Sequence, residues 1–229
     1  MSVLLLRLAG PLQAWGADSR FARRETLRHP TKSGVLGLLA AADGRRRTDP
    51  IEDLMHLQFG VRVDQPGRVL RDFHTAHNWR TGASMPLSER FYLSDAVFVA
   101  AVAGESGLIE ALDTAVRNPR FPLFLGRRSC PVTGRLALGV VEGGVEDALR
   151  AVEWQASSWY RREQEREVAL QLFLDAPAGT PGAETLRDVP VSFDPREREH
   201  GWRSVASSHV ITHNPEGRGI DFFAAVEGA

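Results

Sequence analysis

The stretch Ser2–Leu8 (SVLLLRL) opens the chain with β-branched and leucine residues and stops just before a Gly-Pro pair. A short apolar run that ends at a turn signal predicts a buried β-strand. After a loop, residues 33–42 place valine and leucine at helical spacing, with Thr31 or Ser33 as the N-cap and Gly44 beyond the end. The chain is therefore predicted to begin as strand, loop and helix.

The remaining pattern extends this start into a mixed unit. The predicted elements, in chain order, are a short helix after Asp49, strands over 57–63 and from Val69, a strand over 91–102, a helix over 106–116 capped by Ser106, and an extended segment over 121–139. Strand, helix, strand, insertion, strand, helix, strand is the order of an α+β, ferredoxin-like or RRM-type unit. The insertion, residues 69–92, is predicted to be an arm between the two middle strands.

A domain boundary is predicted near Gly143-Gly144, with residues 1–143 on one side and a small, mostly β C-terminal domain, 144–229, on the other. A brief helix is expected from Val145. Alternating runs predict an antiparallel sheet at 168–174, 189–193 and 205–212. The last dozen residues are predicted to be a mobile tail.

Composition limits the function. The chain has 229 residues, 43% of them hydrophobic, and a formal net charge of -1, which argues against wholesale non-specific binding of nucleic acid. A polyanion site must then be local. Between Arg20 and Arg47, eight basic residues face two acidic ones, a local charge of +6. This segment disfavours a pure protein scaffold without RNA contact.

The expected compartment is the cytoplasm. A single cysteine, Cys130, excludes an internal disulfide and fits a reducing environment. The apolar start is too short for a signal segment or a membrane span, so no membrane partner is expected.

Three blocks, residues 10–16, 29–34 and 125–131, combine glycine with cationic or aromatic side chains. Glycine lets a ligand approach the backbone, and the side chains are those that bind phosphates or stack on bases. We therefore predict RNA binding. In the first block, Gln13 offers an amide, and Trp15 either stacks on a base or covers the edge of the core.

In the second block, Thr31, Lys32 and Ser33 stand where a helix N-terminus presents unpaired N–H groups, which is a ready phosphate site. Capping alone would explain the two hydroxyls. A cation in the first turn opposes the helix dipole unless an anion lies nearby, which favours RNA contact for Lys32. The preceding loop adds three candidate backbone contacts, with a solvated charge run as the alternative: Arg23, Arg24 and Arg28.

In the third block, Gly126 is predicted to let RNA pass close to an extended segment. Arg127 and Arg128 would then point to opposite faces, so that one meets the phosphate and the other anchors a neighbour. Ser129 completes the predicted contacts.

Taken together, residues 6–16, 30–39, 71–75 and 125–131 closely resemble the CasD family of subunits of the type I-E CRISPR Cascade complex. The blocks occur in that family's order and approximate spacing. The resemblance implies an RRM-like palm, a β-hairpin thumb and a small C-terminal domain. It adds Arg90, near the end of the arm, to the residues expected to grip RNA.

The resemblance also implies a role in antiviral defence. The subunit is expected to cap the 5′ handle of the guide RNA and to join the Cascade backbone subunits to the large subunit, meeting target DNA only through the complex. No cofactor or catalytic residue is expected. In one branch of the family the homologous subunit cleaves the precursor RNA, so a metal-independent endoribonuclease remains the alternative.

Catalytic patterns in the chain are weaker. His74 and His77 have an H-x-x-H spacing near Asp72, but no second cluster completes a metal site. A ribonuclease would need a base and an acid. The available groups are Lys32, His29 and His74 as bases and Tyr92 as the acid, and the sequence does not bring them together.

Overall fold

The computed structural model describes residues 1–16 and 23–218. Its elements are, in chain order, β1 (Ser2–Ala9), β2 (Leu12–Gln13), β3 (Arg23–Arg24), α1 (Lys32–Asp43), α2 (Glu52–Met55), β4 (Gln58–Gln65), β5 (Arg68–His74), β6 (Ser88–Ser94), β7 (Val97–Gly104), α3 (Ser106–Arg117), β8 (Ala137–Glu142), α4 (Val145–Ala151), α5 (Ser158–Glu163), β9 (Glu167–Ala176), β10 (Glu184–Ser192) and β11 (Glu199–His213). These elements, helices together with antiparallel sheets, confirm the predicted α+β class.

The opening strand β1 lies inside a seven-stranded antiparallel sheet of order β10-β11-β9-β4-β7-β1-β8. Successive side chains of a strand point to opposite faces, and β1 is apolar on both. Leu4, Leu6 and Leu8 join the core under α1 and α3, whereas Val3 and Leu5 join a second core under α4. Burial on both faces explains why this strand has an almost continuous apolar sequence.

The helix predicted after the first loop is confirmed as α1. Thr31 is its N-cap, since the Thr31 hydroxyl accepts from the Gly34 N–H at 3.2 Å, and Gly44 ends it with a φ of 88°. The predicted cap of α3 was wrong. Glu105, not Ser106, caps that helix, because its carboxylate accepts from both the Gly107 and Leu108 N–H groups.

The single strand predicted over 91–102 was also wrong, because the chain breaks it into β6 and β7. Asp95 between them has a φ of 54°, a conformation that few residues other than glycine adopt. The break sends β6 into a second sheet, where it pairs with β2, β3 and β5. β5 and β6 pair from Arg68↔Ser94 to His74↔Ser88, and residues 68–94 form a hairpin arm.

The extended return predicted over 121–139 was wrong for most of its length. Phe124 and Pro131 form an isolated bridge, and the Leu125 N–H donates to the Cys130 carbonyl at 2.8 Å, so residues 124–131 close a tight loop. Regular strand begins only with β8.

The predicted C-terminal strands are confirmed as β9, β10 and β11. They continue the main sheet, because β9 pairs with β4 at Gly60↔Leu174. The proposed division near residue 143 stays a prediction, and the predicted tail lies outside the described residues. None of the described helices has the length and apolar character needed to cross a membrane.

Candidate nucleic-acid interface

A cleft of about 410 Å³ runs along one flank of α1. The loop over residues 123–126 forms one wall, and the segment over 193–198 between β10 and β11 forms the other. All three glycine blocks contribute to its lining: Ala14, Trp15 and Gly16, then Thr31, Ser33 and Gly34, and finally Gly126. The structure therefore brings the three separate sequence blocks to one place.

Glycines hold the blocks against one another. A Cβ on Gly34 would lie 2.8 Å from the Trp15 ring, and a Cβ on Gly126 would lie 1.7 Å from the Ala14 carbonyl oxygen. Gly126 also has a φ of 83°. The explanation predicted for Gly126 is thus corrected: the missing side chain makes room for protein backbone, not for RNA.

The polar groups of Gln13 and Trp15 are turned inward. The Gln13 amide nitrogen donates to the carbonyls of Leu8 and Ala96, at 3.1 and 2.7 Å, and its oxygen accepts from the Trp15 indole N–H at 3.0 Å. Trp15 is only 1% exposed and packs in the main core. Of the two alternatives for Trp15, the structure shows the ring covering the core. The predicted contacts of Gln13 and Trp15 with RNA are corrected, because both side chains are buried and bonded within the protein.

Lys32 forms an ion pair inside the protein. Its ammonium donates to the Asp175 carboxylate at 2.9 Å, and its backbone N–H donates to Asp188 at 2.8 Å. The anion that a first-turn cation needs is here a carboxylate of the protein itself, so the predicted phosphate contact of Lys32 is corrected. Thr31 and Ser33 are buried too, at 1% and 6% exposure.

Asp175, Asp188, Lys32 and Arg203 form a balanced buried cluster, which we call the charge cluster. Arg203 donates to Asp188 at 2.6 and 2.8 Å and to Asp175 at 2.7 Å. Burial lowers the pKa of Arg203, but the hydrogen bonds and charges of the two carboxylates outweigh it and leave that pKa raised. The charge cluster fixes the start of α1 to β9, β10 and β11.

Four other predicted contacts lie outside the residues that line the cleft. Arg28, Arg128 and Ser129 are exposed. Arg127 is half-buried, with its guanidinium 4.7 Å from the Tyr92 ring centre and donating to the Phe91 carbonyl at 3.1 Å. It therefore anchors its loop to β6, and which of Arg127 and Arg128 meets a phosphate stays a prediction.

Arg90 lies on β6, opposite Arg24 of β3 and Asp72 of β5. Its Nε is buried and has no hydrogen-bond partner among the described residues. Arg23 and Arg24 form β3, but their side chains lie outside the described part of the structure.

The opposite end of the cleft carries residues that the sequence did not single out. Arg45, Arg46 and Arg47 follow α1, and Arg198 lines the same cleft, close enough to Arg47 for the two charges to interact. The first three were visible only as part of the +6 segment, and nothing in the sequence connects Arg198 to them.

The candidate ribonuclease groups do not assemble in one place. Tyr92 is 2% exposed beneath Arg127, and Lys32 is held in the charge cluster. His29 stacks on Phe173 at 4.0 Å, and burial lowers the pKa of its imidazole. His74 lies on the arm, 2.6 Å from Asp72. Within residues 1–16 and 23–218, no three His, Cys, Asp or Glu side chains group as metal ligands.

Comparison with known proteins gives consistent matches. A family model described as CRISPR-associated protein (Cas_Cas5) matches residues 3–206. The CRISPR system Cascade subunit CasD of Escherichia coli (strain K12) is 41% identical over 161 residues, which cover 62% of this chain and 72% of that protein.

Two solved structures also match over nearly the whole chain. One, described as a Cas protein, has 36% identity and a TM-score of 0.71, covering 94% of this chain and 97% of the other. The second, from a CRISPR RNA-guided surveillance complex, has 30% identity and a TM-score of 0.77, covering 98% and 97%.

Proposed function

The chain belongs to the CRISPR-associated protein (Cas_Cas5) family, and from this premise we propose that it is a non-catalytic subunit of a Cascade surveillance complex that binds the 5′ handle of the guide RNA. The observation that carries the proposal is the convergence of all three glycine blocks on one cleft of about 410 Å³. A cleft of this size accommodates a nucleotide. The likeness to a CRISPR surveillance-complex subunit over 98% of the chain supports the same role.

The proposed RNA contacts are the cations that reach solvent around the glycine-block end. Arg28 and Arg128 are exposed, and Ser129 beside them offers a hydroxyl. Arg90 is a further proposed contact, because its buried Nε lacks a partner among the described residues and an RNA oxygen would satisfy it. Arg23 and Arg24 on the adjacent β3 are proposed with it. The buried residues of the blocks shape the cleft from below.

We propose the family's palm and thumb for this fold. The strand order β8-β1-β7-β4, with α1 and α3 over one face, supports a ferredoxin-like palm. The arm over 68–94 corresponds to the thumb, and residues 144–229 to the C-terminal domain.

The arm also supports a bridging role between Cascade subunits. It exposes large apolar side chains, with Trp79 86% exposed and Phe73, Met85 and Leu87 each about half exposed. Exposed apolar groups clustered on one projecting element are typical of a protein interface. We propose that the arm contacts a neighbouring backbone subunit, while the large subunit binds elsewhere on the chain.

Binding without cleavage is supported by the geometry of the candidate groups. A general base must reach the 2′-OH and an acid must reach the leaving oxygen at the same bond. Tyr92 is buried and His74 is on the arm, so this candidate acid and this candidate base are not brought together at the cleft.

The binding test uses the full chain and a labelled precursor RNA that contains the cognate repeat. Arg28→Ala with Arg128→Ala should weaken binding and reduce the slope of log K against log salt by about 1.4, since each lost phosphate contact on a single strand removes about 0.7. Arg117→Ala is the matched control, because that arginine is exposed on α3 and paired with Asp113. Equal binding and equal slopes in the variant and the control would contradict the proposed site.

The cleavage test incubates the same RNA with the chain in the absence of metal. We expect bound, intact RNA. Cleavage at one position, lost on 2′-deoxy substitution there and in the His74→Ala variant, would establish the endoribonuclease alternative in place of this proposal.

A further inference from the structure

The far end of the cleft, where α1 ends, carries positive charge that the glycine blocks do not explain. Arg45 there is already neutralised, since it donates to Asp43 at 2.9 Å and to both oxygens of Asp53. Those hydrogen bonds raise the pKa of its guanidinium. The charge of Arg45 is therefore already compensated by two carboxylates of the protein.

Arg46, Arg47 and Arg198 are different. Over the described residues, no carboxylate forms an ion pair with any of the three side chains, and all three line the cleft. Partial burial and the charge of Arg47 lower the pKa of Arg198. Like charges held close together in one cleft without a counter-charge destabilise one another, and a bound anion would remove that cost.

The floor beside these cations is apolar. Phe193 lies over α1 at Gly37, where a Cβ would be 3.3 Å from the ring, and Leu38 lines the cleft next to it. A cationic rim next to an aromatic surface suits a strand of nucleotides, whose phosphates and bases need these two surfaces.

We infer that Arg46, Arg47 and Arg198 form a second phosphodiester site, which holds the single-stranded guide RNA as it continues along α1 from the glycine-block end. This inference rests on the proposed function, because the occupant is the same RNA. The cleft is continuous between the two ends. Since α1 has 12 residues, it is about 18 Å long, a length that a stacked strand covers with about five nucleotides at its roughly 3.4 Å rise; the strand runs over the cleft, which itself encloses about one nucleotide.

The test compares Arg47→Gln with Arg198→Gln, made together, against Arg196→Gln in the full chain. Arg196 is the matched control, because it lies in the same segment, is 84% exposed and pairs with Asp194. The probe is labelled single-stranded RNA of the cognate repeat. Two lost contacts should reduce the salt slope by about 1.4 and, at 0.1 M salt, weaken binding about 25-fold, while the control stays at the wild-type value.

Shortened RNAs locate the site along the strand. Removal of nucleotides one at a time from the 5′ end should weaken binding to the wild-type chain stepwise. The affinity of the double variant should not change when the removed nucleotides are those that reach the far end of the cleft. The melting temperature of the double variant should not fall, since neither arginine has a partner to lose among the described residues.

The outcomes separate the two proposals. Wild-type chain that does not bind the RNA would overturn the proposed function together with this inference. Wild-type binding with equal affinities in the double variant and the control would overturn the inference alone. Weaker binding of target DNA by the assembled complex, with RNA binding unchanged, would assign the phosphates to DNA and overturn the inference as well.

Discussion

Replacement of Asp188 by alanine tests how the charge cluster holds the fold together. This carboxylate is fully buried and accepts hydrogen bonds from the Lys32 N–H and from two nitrogens of Arg203. Its removal leaves two buried cations facing Asp175 alone. The first turn of α1 also loses the partner of a backbone N–H.

The expected loss follows from this geometry. Removal of one partner from a buried ion pair costs about 3–5 kcal/mol, because the remaining charge stays buried without compensation. In a chain of 229 residues, each kcal/mol corresponds to about 2–4 °C in melting temperature, so Asp188→Ala should lower it by about 6–20 °C.

The assay is urea and thermal unfolding of the full chain. Glu184→Ala is the control, since this carboxylate lies on the same strand but is exposed. A second variant, Asp188→Leu with Arg203→Met, removes one charge of each sign and leaves Lys32 paired with Asp175. It should recover most of the lost stability. A loss no larger than in the control, or a double variant as unstable as Asp188→Ala, would refute the account of the charge cluster.

Three further predictions concern single positions. Gly126→Ala should lower the melting temperature far more than the control Gly82→Ala. Both glycines have a positive φ, but only a Cβ at position 126 would meet another group, the Ala14 backbone carbonyl. Equal losses would mean that this close approach does not affect stability. Hydrogen bonds from two N–H groups lower the pKa of Glu105 below its ordinary 4.5. The stability it contributes should therefore be present above pH 4.5 and lost as the pH falls through the lowered pKa, so wild type and Glu105→Ala should converge in acid melting scans. Arg62→Ala should lower the free energy of unfolding in urea by about 3–5 kcal/mol, since this buried guanidinium pairs with the buried carboxylate of Asp64. Replacement of the exposed Arg117 by alanine should change the free energy of unfolding little. Similar losses in the two variants would contradict the role of burial.

Local sequence signals predicted most regular elements, because they depend on neighbours along the chain. The Thr31 cap and Gly44 fixed the ends of α1, and alternation located β9 and β11. Other elements were mispredicted. Residues 91–102 were predicted as one strand, but Asp95 diverts the chain into a different sheet. The polar pair Ser94-Asp95 interrupts the apolar residues at this break, yet only the fold shows that the two halves join different sheets.

The same distinction applies to the site. The sequence by itself determined that three glycine blocks and a local positive charge exist, since both are properties of composition and order. Only the tertiary structure decided which charges face solvent, because a charge can be cancelled by a residue far along the chain. Lys32 is paired with Asp175, 143 residues away, while Arg198 lies near Arg47 in the same cleft without an ion-pair partner among the described residues. Coulomb energy depends on distance in space and on burial, and folding sets both.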